Sequence, residues 1–483
     1  MSLQSAFQVR FVFCDSKPVV VEPQDGQFTT DAGLLPFRQL DETLGFTQQF
    51  AAALNDPRAP AATSHTVTEM VRSRIFGILG DYADQNDHDL LRSDPLFKLL
   101  AGRSPDDAPL ASQPTLSRFE NAIDIPSLYR LRDFLIDQFI ASFTEPPQHL
   151  TFDVDTFDDP THGQQQLTFF HGFYDQYQYL PRVVTCAQND TVVMASLLFG
   201  IAPAFLGFDR DLDYLVNRLR AAWPDVQIEL RADSGFASPE VYDACESLRL
   251  FYTIGLGMNS VLKRRSEEIL SQVVAEYERT GQPQRQFTAF EYQAKSWPHP
   301  RFVVVKAEAN PQGTNRRAVV TNRPGAPVIP SAAYDDYAER GESENRNKEL
   351  KNGLQADRLS DHRYLANFFR LYLHCAAANL LARMRPIVAD PPPPPSTADG
   401  RPKEALSGKQ RRDYFNLRRH RDPLGEGHPC TWRTRLIKVA AEITISVRRI
   451  VVRLAGSWPY LDHYQHVAER VLAFCQTAVP STG

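Results

Sequence analysis

The chain has 483 residues, more than a single compact core usually holds, so several domains are expected. Hydrophobic residues make up 42% and charged residues 23%, a globular balance that excludes a disordered or fibrous chain. Net charge is −5, yet residues 401–453 carry fourteen Lys/Arg against five Asp/Glu, and on charge alone a basic stretch on an acidic body reads equally as a surface for a polyanionic partner or as a solvated, self-repelling tail.

In chain order, "VRFVFCDSKPVVVEP" reads as a short hairpin around a Ser-Lys-Pro turn. From about Asp31 to Phe143 apolar residues recur at three and four, as in "DAGLLPFRQLDETLGFTQQFAAAL" and "TVTEMVRSRIFGILGDYADQ", which predicts an all-α N-terminal domain. After "TEPPQH" the period changes. "LTFDVDTF" alternates, "TFFHGFYDQYQYLPRVVTCAQ" reads as paired strands and "TVVMASLLFG" as a third; helix "LDYLVNRLRAAW" and strand "VQIELRADSGF" follow, giving an α/β core. Residues 285–322 read as several β segments. "YAERGESENRNKELK", residues 337–351, predicts a four-turn helix with little apolar surface. The apolar run 364–384 contains Arg370, His374 and Asn379, so a buried helix is expected there rather than a membrane span. "DPPPPPST" at 390–397 reads as a polyproline spacer, and "TRLIKVAAEITISVRRIVVRLAG" beyond it is amphipathic and basic.

Cysteines 14, 186, 245, 375, 430 and 475 form no C-x-x-C pair and no metal-ligand spacing. That pattern fits a reducing cytoplasm and argues against a zinc site or a disulfide framework. "MSLQSAFQVRFVF" lacks a basic region followed by an apolar core, so no signal peptide is expected.

Three carboxylate-bearing segments stand out. In "LTFDVDTF", Leu150, Phe152 and Val154 share one strand face and Thr151, Asp153 and Asp155 the other. In "VQIELRADSGF" an apolar strand runs into Asp233-Ser234-Gly235, the strand-end position where α/β sheets bind ligands. On the polar helix Tyr337, Arg340, Glu344 and Lys351 fall on one face at about 100° per residue. Taken singly, these are ordinary turn, cap and surface ion-pair residues. Taken together, three carboxylates on a sheet-and-helix frame are a hard-oxygen set suited to two Mg²⁺ or Mn²⁺ ions and phosphoryl transfer.

The Tyr-x₂-Arg-x₃-Glu-x₆-Lys spacing at 337, 340, 344 and 351 resembles the signature of one group of bacterial insertion-sequence DDE transposases. "DVDTFDDPTHGQQQ" and "RADSGF" resemble their first and second aspartate blocks, and "ENRNKELKNGLQADRLS" their third. "GDYADQNDHDLLRSDP" and "SQPTLSRFENA" are similar to N-terminal segments of the insertion sequence 1380 family, relatives of the piggyBac transposases.

The resemblance implies an RNase H-like catalytic core interrupted by a β-rich insertion. The expected division is a helical DNA-binding or dimerisation domain at 1–148, core at 149–254, insertion at 255–335, core with the glutamate helix at 336–388, and a Pro-rich linker with a basic region at 389–483. It implies Asp155, Asp233 and Glu344 as the metal-binding catalytic triad, with Asp155 chosen over Asp153 because Thr156 follows it. Tyr337, Arg340 and Lys351 would grip DNA phosphates. Arg231 and His162 are further DNA-contact candidates, although a surface cation and a turn residue are the plainer readings. Trp297 is a candidate for stacking on an extruded base, with a core tryptophan as the alternative. The expected protein is a cytoplasmic, nucleoid-associated transposase acting on double-stranded DNA as a homodimer. The rival readings are a metal-dependent nuclease without strand transfer and an inactive DNA-binding repressor.

Overall fold

The computed structural model of the chain describes residues 8–13, 17–59, 63–172, 174–389 and 408–478. The polyproline segment at 390–397 lies outside them. Strands β1 (Val9–Phe11) and β2 (Val19–Val21) form the expected hairpin, exposed along its length. Strand β3 (Phe28–Thr29) then leads into seven helices. These are α1 (Leu35–Leu44), α2 (Phe46–Ala52), α3 (Val67–Leu79), α4 (His88–Leu91), α5 (Pro95–Ala101), α6 (Gln113–Asn121) and α7 (Ile125–Ile140). Their starts are locally specified. Thr66 and Glu69 make a reciprocal capping box on α3, and Asp94 and Asp124 cap α5 and α7 just ahead of prolines that need no N–H partner.

The centre is one ten-stranded mixed sheet. It contains β4 (His149–Thr156), β5 (Asp159–Pro160), β6 (Phe169–His171), β7 (Gln176–Cys186), β8 (Val192–Phe199), β9 (Gln227–Ala232) and β10 (Phe251–Leu256). It is extended by β11 (Gln284–Tyr292), β12 (Arg301–Asn310) and β13 (Gly313–Thr321), in the order β11-β12-β13-β10-β9-β4-β7, with β5, β6 and β8 also paired to β7. Only β4-β9 and β9-β10 are parallel. Helices α8 (Phe208–Ala222) and α9 (Pro239–Ser247) supply the crossovers between parallel strands.

Alternation along β7 assigns the two faces. Val184 packs with Phe152, Val154, Phe139 and Leu215 on the α7–α8 side, whereas Val183 joins the core built on helix α14 (Tyr364–Val388). Asp155 pairs across from Val183 and so faces that second side. Helix α14 is the buried helix anticipated at 364–384. Its Asn379 clamps the backbone N–H and C=O of Val192, both at 2.8 Å, and its Arg370 donates to fully buried Glu120 at 2.6 Å, with Arg74 doing so at 2.7 Å. Among the described residues no helix is long and apolar enough to cross a membrane.

Three arrangements are not contained in the sequence reading. The segment 255–335 makes no separate sheet; β13 pairs antiparallel with β10 and continues the central one, with α10 (Ser260–Arg265) and α11 (Glu267–Thr280) alongside. The polar stretch 337–351 is not one helix. It is divided between α12 (Pro330–Ala338), α13 (Arg340–Lys348) and a π turn at Glu349–Gly353, because α12 docks on β11 and β12 whereas α13 lies against β4. The basic C-terminal region is not a loose appendage. After α15 (Gly408–Arg421) and α16 (Pro429–Trp432), strand β14 (Ala441–Ile445) pairs with β3 and with β15 (Ile450–Leu454), and α17 (Leu461–Ala478) packs on α1 and α14. Buried Trp432 meets Phe37 edge-on at 5.5 Å, so both ends of the chain share one core.

Candidate active site

The parallel register fixes the two aspartates. Val154 pairs with Ala232, so Asp155 and Asp233 each stand one residue further along, level on strands about 4.8 Å apart. Asp155 Oδ1 accepts from Thr156 N at 2.8 Å, and Asp233 Oδ1 caps the turn at Ser234–Phe236 by accepting from Gly235 N at 2.9 Å. Burial pushes the Asp155 carboxyl above the ordinary value and the Asp233 charge adds to this, with the Arg340 guanidinium opposing.

Helix α13 brings the third carboxylate. Arg340 Nη1 donates to Asp155 Oδ2 at 3.1 Å and its Nη2 to Glu344 Oε1 at 2.5 Å, so one guanidinium bridges strand and helix. Tyr337 reaches the same place from α12. Ile254 pairs with Ala232, which sets Gly255 beside Asp233. A Cβ at Gly255 would stand 2.9 Å from Tyr337 Oη and 3.0 Å from Ser234 N, so the glycine makes room for the phenol. Burial raises the Tyr337 hydroxyl above its ordinary value, and the charges of Asp233 and Glu344 act the same way against Arg340.

Beyond the triad, Lys351 Nζ donates to Asp158 Oδ1 at 2.5 Å, and Gln176 Nε2 donates to Asp158 Oδ2 at 3.2 Å. Asn347, one turn after Glu344, is 7% exposed, and among the described residues neither its Nδ2 nor its Oδ1 has a hydrogen-bond partner. Sequence reasoning missed Asp158 and Asn347. The only signals for them were proximity to Asp155 and helical spacing from Glu344.

A family model described as Transposase DDE domain group 1 matches residues 11–392. The chain belongs to that family. No curated protein matches it. A solved piggyBac transposase synaptic complex with hairpin DNA is similar at 13% identity, covering 95% of this chain and 89% of that one, with a TM-score of 0.36.

Other candidates of this DDE transposase domain lie elsewhere. Arg231 is 5% exposed and grips Asp153 with two bonds, Nε to Oδ1 at 2.8 Å and Nη2 to Oδ2 at 2.7 Å, while Nη1 donates to Asp336 O. It is thus committed to structure and not presented to DNA. Trp297 is 6% exposed, edge-on to Tyr242 and Tyr292 at 5.3 and 5.5 Å, so the core alternative describes it and no ring face is offered to a base. His162 is exposed in the loop between β5 and β6. A second group of possible metal donors, Asp243, Glu246 and His299, lies within 4.8 Å of one another, but Arg301 already bonds both carboxylates, Asp243 at 2.5 Å and Glu246 at 2.7 Å.

Proposed function

We propose that this DDE-family chain is the transposase of a bacterial insertion sequence of the 1380 type, built on an RNase H-like core. It binds the terminal inverted repeats of its element as a homodimer, cleaves the ends by metal-dependent hydrolysis and joins the freed 3′-hydroxyl to target DNA. The observation that carries this reading is that Arg340 bonds both Asp155 and Glu344 while the β4–β9 register sets Asp233 level with Asp155.

The residues fit divalent cations. Carboxylate oxygens are the hard donors Mg²⁺ and Mn²⁺ prefer, and a positive group already stands among them. Held by Asp155, Asp233 and Glu344, a pair of such ions would supply an activated water or 3′-hydroxyl and charge stabilisation at the leaving oxygen. The chain's own residues bind and orient the DNA. Arg340 and Lys351 offer charge-assisted bonds to phosphate and Tyr337 a hydroxyl. The helices of 1–148 and the basic region after residue 400 are the further DNA-binding or dimerisation elements, with exposed His162 a lesser contact.

The test is a reaction of purified protein, Mg²⁺, a plasmid carrying the coding frame with its flanking DNA, and a separate target plasmid. Joined donor–target products are the expected result. Excision without joining identifies a nuclease instead, and DNA binding without cleavage identifies a repressor.

A further inference from the structure

Arg340 stands between two of the three carboxylates. It bonds Asp155 and Glu344 at 3.1 and 2.5 Å, and Asp233 acts on it electrostatically. Around it the three acids stay spread. Among the described residues, only the Asp243, Glu246 and His299 group brings three donor atoms within 4.8 Å of one another. Lys351 repeats the pattern on Asp158 at 2.5 Å. Both cations assigned above to DNA phosphates are therefore held by carboxylates of their own chain.

We propose that Arg340 is an exchangeable counter-ion that couples DNA binding to divalent-cation binding, passing from Asp155 and Glu344 to a DNA phosphate. This rests on the transposase reading above. The argument is one of charge partners. The Arg340 side chain is 12% exposed, and a cation so enclosed is costly when its anions are taken away. A divalent ion arriving without DNA claims Asp155 and Glu344 and strands the guanidinium. Arriving with DNA, it finds the guanidinium already transferred to phosphate and the carboxylates released. Each ligand thus removes an obstacle to the other, and by linkage the effect is mutual. Lys351, released from Asp158 in the same exchange, adds to the DNA side. Tyr337, with its ring 5.9 Å from the guanidinium carbon, lies beside Arg340 where the exchange takes place.

The test is the Mn²⁺ affinity of the full chain, read by electron paramagnetic resonance, with and without a duplex copied from the DNA flanking its coding frame. In the wild type the duplex should tighten Mn²⁺ binding by about 10-fold or more. In Arg340→Gln, Mn²⁺ should bind more tightly without DNA, and the tightening by DNA should shrink accordingly. Arg340→Met, which keeps the aliphatic stem, replaces it where Gln does not fold. An equal DNA effect in wild type and variant overturns the proposal, because phosphates acting directly on the metal, or a simple change of site charge, leave that ratio unchanged. Failure of the underlying reading looks different: Asp155→Asn and Glu344→Gln would then leave Mn²⁺ affinity unaltered.

Discussion

Arg231 and Asp153 form a bidentate ion pair inside the sheet, with bonds of 2.8 and 2.7 Å between side chains 7% and 2% exposed. Asp153 and Asp155 share a strand face and sit in similar sequence surroundings, and this pair separates them. Asp153 holds β4 to β9, whereas Asp155 bonds Arg340 of α13. Asp153→Ala strands a buried guanidinium and should cost about 3–5 kcal/mol. Asp155→Ala should cost far less while abolishing cleavage. Urea unfolding of both variants, alongside a nicking assay, checks the division.

The Asp155 carboxyl titrates above its ordinary value because it is buried, with Asp233 adding to the effect. A raised folded value means the native state holds this proton more tightly than the unfolded chain does. Stability is therefore lost as pH rises from the ordinary aspartate value through the folded one, and the cost persists at neutral pH. Asp155→Asn removes that cost. Because it also takes one of Arg340's two anions, the readout is the difference from the wild type: the variant should gain relative stability as pH rises from the ordinary aspartate value and hold a constant difference below it.

Gly255→Ala tests the passage that admits Tyr337. The added methyl meets Tyr337 Oη at 2.9 Å and Ser234 N at 3.0 Å, and the second of these is backbone. Overpacking of about 1–3 kcal/mol is expected. Displacing the phenol and the Asp233 turn by a fraction of an ångström should lower cleavage by roughly 100-fold. A Gly255→Ala protein with normal cleavage and stability contradicts this packing.

Acid stability should reflect two buried groups. His374 is fully enclosed and its imidazole is pushed down to about 3, chiefly by burial, with Arg74 adding to it. Its contribution is complete above the ordinary histidine value and fades as pH falls from there toward about 3. Glu349 bonds Arg346, Arg385 and His428, each at 2.7 Å; burial alone would raise it, but these partners hold it at about 2. Its contribution fades between the ordinary glutamate value and about 2. Unfolding followed by pH should show loss beginning near pH 6.5 and steepening below 4.5. His374→Gln should flatten the upper part and Glu349→Gln the lower.

Much of the candidate site was legible in the sequence because its parts are local. A strand ending in Asp-Ser-Gly, an alternating strand with two aspartates and a polar helical stripe each keep their meaning without tertiary context. The long-range features were not. Nothing near Arg231 or Trp297 signals that Asp153 and Tyr242 wait 78 and 55 positions away in the chain to bury them. The β segments after residue 284 were visible as strands, but edge pairing with β10 depends on a register that local pattern does not carry. The division of 337–351 also escaped notice, since the choice between a straight helix and a π turn rests on what Glu349 finds in α14 and beside α16.

The most direct measurement is Mg²⁺-dependent nicking of a plasmid bearing the element's own flanks by Asp233→Ala and Glu344→Ala, alongside their binding of the same DNA. The account predicts that both variants still bind and that nicking falls by roughly 10⁴-fold or more, as when one member of a catalytic unit is lost. Nicking by either variant at the rate of the unaltered protein contradicts it.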